Sequence, residues 1–407
     1  MRSRLVAIIV LLLAVTGFAY FVFGVYVRNS SESTVRQAAS YLLKNKTDLA
    51  RDELKWLLWF APHHSPAIHL AAIIELKQNN LPAAIEQLQR IGEDSKLHET
   101  AQSLLASALL GDQQFDRAEK VLSSFLLRYP KSVTARRQFF GIFLAELRTR
   151  EAIQVQEESL RASASDPVSL ADRLLMLRDL ASSEFHAPLP QDCLPTLESA
   201  FQRHLGQPHV ELALGRCYLR LGNLDAAEPL LQNALARGPR DLEPRLLSGE
   251  LWIARGDFDR AADVLQGGSG DSSGEVGNGL SAMGQDDRFW ELRCRIAEGR
   301  ADYDRALTEI DHAASIRPLN KDYEARRARL FQRLQRTTEA QSTYTRSHEL
   351  ARAELDLWNL SRDLGVRNPK PVECERVAQL YESLGKSFQA GLWRQLGRQI
   401  AMEIPKR

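Results

Sequence analysis

Three groupings of side chains in this 407-residue chain have types and spacings that could do chemistry. The first is Gly270-Asp271-Ser272-Ser273-Gly274, which satisfies the G-x-S-x-G spacing of a serine nucleophile. That chemistry needs a strained strand-to-helix turn that holds the serine out toward a base. Here the pentad lies inside residues 267–279, a Gly/Ser-rich stretch with no strand before it and no helix directly after. Such composition makes a flexible loop. The same glycines lack the Lys-Ser/Thr ending of a phosphate loop, so no nucleotide cofactor is expected.

The second grouping is His63, His64 and His69. Two of these follow Pro62 in a loop. Adjacent imidazoles do not easily converge on one ion without a third ligand fixed by a scaffold, so a loop is the plainer reading and no metal is expected. Cys193, Cys217, Cys294 and Cys374 are too far apart for a zinc ribbon or a C-x-x-C redox pair. They suit packing as small apolar residues. With no nucleophile–base pair, metal spacing or cofactor loop in context, the chain is not expected to be an enzyme.

The third grouping is basic: Arg326, Arg327, Arg329, Arg333 and Arg336. On a helix, Arg326, Arg329, Arg333 and Arg336 share one face at spacings of three and four. A solvated helix surface is the plainer account. The sharper one is anion recognition, because a guanidinium offers a planar fork that grips a carboxylate or phosphate through two bonds.

What positions these groups is an internal repeat. Alanines recur 34 residues apart at Ala50, Ala84, Ala118 and Ala152, again at Ala227 and Ala261, and again at Ala306 and Ala340. Twelve residues before them there is usually a small residue: Ala38, Ala72, Ala106, Gly215, Gly249, Cys294 or Ala328. Nine before, an apolar residue is common, as at Tyr41, Leu109, Phe143, Tyr218, Trp252 and Phe331. Four after, Leu54, Leu88, Leu122, Leu231, Leu265 or Ile310 continues the same helical face. Pro62, Pro130, Pro239 and Pro318 fall twelve after and end the second helix.

These signposts resemble the tetratricopeptide repeat, a 34-residue helix–turn–helix unit, over roughly residues 35–400. The resemblance implies an all-α, right-handed α-α superhelical solenoid of about nine to ten hairpins. It also implies a concave groove lined by the first helix of each repeat. Arg216, Arg295 and Arg329 share one register in those first helices, one residue after the small position. With Arg326 and Arg333 they form the expected anionic-peptide groove. The Lys and Asn positions of the family's chaperone-tail clamp are not matched, so that ligand is not carried over.

The repeat ruler divides the chain into an array of seven repeats at 35–266, a flexible insertion at 267–286, and repeats eight and nine at 287–351. A further helix at 354–363 and a capping hairpin occupy the remainder, 352–407. The ruler slips at 163–205, 267–279 and 352–371.

Residues 5–27 form 23 uncharged, mostly apolar positions behind Arg2 and Arg4, long enough to cross a bilayer. A transmembrane signal-anchor over 1–28, followed by a spacer at 29–34, is expected. A cleaved signal peptide is the rival, with a small-x-small site at Gly17-Phe18-Ala19. The arginines of the head favour a single-pass protein whose array lies outside the cytoplasm, periplasmic in a bacterium. Formal net charge is +1, so nothing calls for nucleic acid. The expected function is a membrane-tethered scaffold that binds protein or peptide partners, without catalysis or cofactor. The alternatives are a cytoplasm-facing recruitment adaptor and a non-catalytic subunit or regulator of an envelope- or glycan-modifying enzyme.

Overall fold

A computed structural model describes residues 29–130, 132–163, 170–185, 188–266, 283–364 and 369–403, together with Val22, Gly24 and Val25. Among these the chain forms twenty α-helices and no strand. It divides into two compact units after Gln138. The first unit holds α1 (Ser31–Leu43), α2 (Thr47–Phe60), α3 (Ser65–Lys77), α4 (Leu81–Gln89), α5 (His98–Gly111) and α6 (Phe115–Arg128). The boundary falls within α7 (Val133–Ala145). The second unit continues with α8 (Thr149–Ser163), α9 (Leu170–Phe185), α10 (Pro190–Arg203), α11 (Pro208–Arg220), α12 (Leu224–Arg237), α13 (Leu242–Ala254) and α14 (Phe258–Gln266). It ends with α15 (Asp287–Gly299), α16 (Tyr303–Ile316), α17 (Lys321–Arg333), α18 (Thr337–Leu364), α19 (Pro371–Ser383) and α20 (Ser387–Glu403).

One local device makes the hairpins. Asn45, Asn79, Gln113, Leu147, Gly222, Gly256, Ala301, Gln335 and Gly385 all have positive φ. Each lies five residues before an alanine of the repeat or its equivalent, Ala390. The amide of the following residue then donates to the carbonyl five back. Lys46 reaches Tyr41 O at 2.9 Å, Arg148 reaches Phe143 O at 2.7 Å and Asp257 reaches Trp252 O at 2.9 Å. This is the left-handed helix ending that satisfies carbonyls otherwise stranded at a carboxyl terminus. Its acceptor is the position nine before the alanine, apolar in every one of these hairpins but the second, where it is Glu75, so one residue generally both packs and closes the turn. The next helix starts at once, and Asn223, Asp257 and Asp302 cap it by accepting from the amides of Ala226, Arg260 and Arg305.

Close packing does the rest. Ala50, Ala84, Ala118, Ala152, Ala227, Ala261 and Ala306 are fully buried, and Ala340 is 5% exposed. A Cβ on Gly215 would stand 2.7 Å from Leu231 Cδ2, and one on Gly249 would stand 2.9 Å from Leu265 Cδ2. The small positions therefore set the distance between paired helices. Cys294 fills one such slot, and burial pushes its thiol well above the usual range. All four cysteines are free and buried.

Three features depart from the sequence expectation. The helix expected at 354–363 is not separate. It is the second half of α18, a single 28-residue helix, because nothing between 337 and 364 is Gly or Pro. The chain divides at Gln138 and not at the Gly/Ser insertion, across which α13 and α14 both pack on α15. The carboxyl-terminal hairpin does more than end a stack. Leu350, Leu357 and Leu364 form a seven-residue stripe on α18 that joins one core with Leu174, Leu177 and Leu180 of α9 and Tyr381 and Trp393 of the last hairpin. Accordingly α9 packs on α18 and α20, while α10 packs on α11. Arg178 of α9 donates to Leu364 O at 3.1 and 2.7 Å, capping the end of α18.

The expected anchor lies outside the described residues, except for Val22, Gly24 and Val25. No helix among the described residues is long and apolar enough to cross a membrane. Residues 267–282, which contain Ser272, are also outside them.

The turn account makes a paired prediction. Gly256 has φ +78° and open space where a Cβ would go, so Gly256→Ala pays only for backbone conformation, about 1 kcal/mol. Ala301, at φ 59°, already pays that cost. Ala301→Gly should leave the urea-unfolding midpoint unchanged or raised, while Gly256→Ala lowers it. Equal losses in both variants would refute the account.

Candidate functional site

The first helices of the repeats in the second unit carry opposed charges that pair with one another and with the α7–α8 turn. Arg216 on α11 is 4% exposed. It donates to Glu146 O at 2.6 Å and to Glu243 of α13 at 2.8 Å. Glu243 also accepts from Arg288 at 2.8 Å, and Arg288 is held in turn by Asp286, the amino-terminal cap of α15. Burial works to raise the Glu243 carboxyl, but Arg216 and Arg288 outweigh it and hold it below the usual range.

Asp287 is the second node, 4% exposed. Arg150, at the start of α8, grips it through two bonds of 2.6 and 3.0 Å. The Tyr323 hydroxyl of α17 donates to it at 2.6 Å, and Arg317 stands 4.0 Å away. Burial alone would raise this carboxyl. The bonds from Arg150 and Tyr323 and the nearby arginine charges win, and it sits below the usual range.

Beside this node opens a cavity of about 480 Å³ lined by Arg150, Arg317, Arg326 and Arg329, with Glu291 and Asp322 the carboxylates among its walls. Arg326 spans Glu291, at 3.1 Å, and Glu298. Burial pushes the Glu291 carboxyl upward against the pull of Arg326 and Arg295. Arg329 is exposed and has no ion-pair partner among the described residues. Arg317 is half exposed and stands 4.0 Å from Asp287, the one carboxylate within ion-pair distance of it among the described residues. The lining thus holds four guanidinium groups and two carboxylates; Arg150 and Arg326 are paired with Asp287, Glu291 and Glu298, which leaves Arg329 without an ion-pair partner among the described residues.

The five arginines expected to share a groove thus have separate fates. Arg216 spends its donors inside the chain. Arg295 stands 3.9 Å from Glu250. Arg326 and Arg329 meet in the cavity. Arg333 is exposed in the last turn of α17, outside the residues that line it. Sequence reasoning missed Arg150 and Arg317. Arg150 comes from 137 positions before Asp287, and no local pattern could announce that pairing. Arg317 precedes Pro318, where the repeat pattern marks only the end of a helix.

The three histidines serve separate places. His64 caps α3, its Nδ1 accepting from Ala67 N at 3.3 Å. His63 is exposed in the loop, and His69 sits part-way along α3, where burial lowers its pKa. Trp290 donates to Gly284 O at 2.8 Å and packs against the His312 ring.

Comparison with family models agrees with the helical repeats. Two family models described as tetratricopeptide repeat match residues 212–273 and 100–132. Tetratricopeptide repeats are present in this chain. Among solved structures, MamA from Desulfovibrio magneticus RS-1 is 17% identical, covering 46% of this chain and 98% of its own, with a TM-score of 0.33. A tetratricopeptide repeat protein from Parabacteroides merdae is 12% identical, covering 75% of this chain and 99% of its own, at 0.31. The human IFIT1 dimer with PPP-AAAA is 13% identical, covering 90% and 89%, at 0.37. No curated protein matches the chain.

The Asp287 node has a readable pH dependence. Its depressed carboxyl contributes stability that is present above the unfolded value near 3.8 and is lost as pH falls through the lower folded value. Tyr323→Phe removes one of the bonds that lower it, at a cost of about 1–2 kcal/mol near neutrality. Acid unfolding followed by circular dichroism should therefore begin at higher pH in this variant than in the wild type. An unshifted acid transition would show that the tyrosine does not support the carboxylate.

Proposed function

We propose that the protein is a non-catalytic, membrane-tethered scaffold that captures a protein partner by an acidic segment. The observation that carries this reading is the arginine-lined cavity between α15 and α17, with Arg329 uncommitted and Arg317 weakly committed. A carboxylate from a peptide would take the place of solvent around those two guanidinium groups, and the helical hairpins would give it a rigid frame. Tethering is supported by the uncharged run at 5–27, and the arginines of the head favour an array outside the cytoplasm. Repeat scaffolds act by presenting surface, and no grouping of side chains described above has the geometry of a nucleophile and its base.

The binding test uses the full chain in detergent and fluorescent peptides, one rich in Asp and Glu and one of the same length without charge. The acidic peptide should bind more tightly, and its affinity should fall as salt rises, because the exposed part of the attraction is screened. Arg317→Ala combined with Arg329→Ala should weaken it by about tenfold or more, the worth of one charge-assisted bond pair. Equal binding by the double variant would remove the cavity from the account. For topology, alkaline phosphatase fused after Arg407 should be active, since that enzyme requires export. An inactive fusion together with a fluorescent green-protein fusion would place the array in the cytoplasm.

A further inference from the structure

Within the second unit, a cavity of about 360 Å³ lies where α10, α11 and α12 meet. It shares no wall residue with the arginine cavity. Each helix contributes residues about one turn apart, which puts them on one face. Glu198 and Phe201 come from α10, Leu214 and Tyr218 from α11, and Ala226 and Leu230 from α12. Leu214 is buried and the other five are half-buried. Apolar walls, this size and a few fixed polar groups are the makings of a ligand site.

Its charge is of the opposite sign to that of the arginine cavity. Glu198 is the one charged residue in its walls, and it has no ion-pair partner among the described residues. Glu243, Asp287, Glu291 and Glu309 of the same unit, buried or half-buried like it, are each paired with an arginine. A carboxylate taken partly out of water without a cation is costly, so Glu198 is the exception that calls for a partner. The group is also held in place. Its Oε1 accepts from the Tyr218 hydroxyl at 2.7 Å, which leaves Oε2 without a hydrogen bond among the described residues. That bond, with burial, pushes the Tyr218 hydroxyl up to about 12, so the tyrosine keeps its proton at ordinary pH. The Tyr218 carbonyl in turn accepts from Asn223 N at 2.9 Å, the bond that closes the turn. The carboxylate is therefore oriented by a residue that the hairpin itself fixes.

The chemistry of the walls selects the ligand. An ammonium or guanidinium group donates to the open carboxylate oxygen in a charge-assisted bond. The rings of Tyr218 and Phe201 present negative faces that also attract a cation. The methylene stem behind such a head covers Leu214 and Leu230, as the stems of lysine and arginine do on apolar surface. An anion would meet Glu198 as a like charge. An uncharged apolar group would cover the carboxylate and leave it unpaired. One carboxylate answers one positive charge, which fits a single cationic side chain better than a polyamine with several.

We propose that this cavity takes a lysine or arginine side chain of a protein partner, with the stem on the apolar walls and the charge on Glu198. The proposal goes beyond the function proposed above, because it adds a second contact of opposite sign on different helices. A partner that uses both cavities is selected by an acidic segment and a basic side chain together. Loss of either contact leaves the other testable by itself.

The test uses the full chain in detergent and two fluorescent peptides of equal length, read by anisotropy. One carries lysines spaced by Gly and Leu, and the other has norleucine at each lysine, the same stem without the charge. The lysine peptide should bind about tenfold more tightly, the worth of one charge-assisted bond. Glu198→Gln keeps an acceptor for Tyr218 and removes the charge, so the two peptides should then bind alike. Asp192→Asn, at an exposed acid of α10 outside the cavity, should leave the preference intact. Ala226→Phe should fill the cavity and weaken the lysine peptide although Glu198 is unchanged. Circular dichroism reports whether each variant is folded, and the folded ones decide. Equal affinity for the two peptides in the wild type overturns the proposal, as does a preference that survives Glu198→Gln or Ala226→Phe, or one that Asp192→Asn abolishes equally. Spermine binding as tightly as the peptide would assign the cavity to a free polyamine and also overturn it. A dimer in sedimentation that Glu198→Gln dissolves would assign it to a second copy of this chain, against a separate partner.

Discussion

The fold depends on a single backbone hydrogen bond, made nine times among the described residues. An amide just past a left-handed residue reaches the carbonyl five positions back and reverses the chain. Everything else in a repeat follows from its register. Except at Glu75, the carbonyl belongs to an apolar residue of the first helix. The residue after the left-handed one caps the second helix. Four positions later an alanine must be small, because the turn has already brought the two helices together. Only Gly222, Gly256 and Gly385 supply the left-handed residue without cost among these nine. The other turns force an L-residue there, at about 1–2 kcal/mol each by the usual sterics. Tertiary packing covers that cost, which is why the turn survives with Leu147 or Gln335 in place.

The second unit adds a constraint that a repeat does not contain. Its first helices present arginines and carboxylates inward, and buried charges of one sign would be untenable. They are instead interleaved: Arg216 with Glu243, Arg288 with Asp286, Arg150 with Asp287, Arg326 with Glu291 and Glu298. Such pairs contribute little net stability, since desolvation offsets most of the attraction. Their effect is on arrangement. Once Asp287 is buried, α8 must deliver Arg150 to it, and α9, which follows, must lie where α18 and α20 can bury Leu174, Leu177 and Leu180. Polar pairing and apolar closure thus support the same placement of the α8–α9 hairpin.

This separates what was legible in the sequence from what was not. The repeat period, the small positions and most hairpin boundaries lie within windows of about 34 residues, and local periodicity reports them. Closure was not legible. The contacts that make it join Arg178 to Leu364 and Glu184 to Tyr381 and Lys386, separations of 186 to 202 residues. A stripe such as Leu350, Leu357 and Leu364 shows that a helix has an apolar face, but not that the face meets α9. The slip of the ruler at 163–205 was the one local sign, because α9 leaves the regular stack there. The arginine site was half legible for the same reason. Arg326 and Arg329 could be placed on one helix face, but the loss of Arg216 to internal pairing and the arrival of Arg150 depend on tertiary structure alone.

Closure also shapes the chemistry proposed for the cavity. Arg317 lies 4.0 Å from Asp287, and that carboxylate already holds two bonds from Arg150 and one from Tyr323. An incoming acidic group therefore competes for Arg317 with a carboxylate whose other partners are satisfied. The displaced charge is not left bare, so the competition costs little. Arg329 has no such rival among the described residues. Arg150 belongs to the α8 segment that closure brings in, and without it the cavity would lose one of four cations and Asp287 would turn its negative charge on the ligand. On the proposed function, an anion binds well only where α8 is already docked. Any free energy gained from the ligand is shared with the closed arrangement, in proportion to its preference for that state.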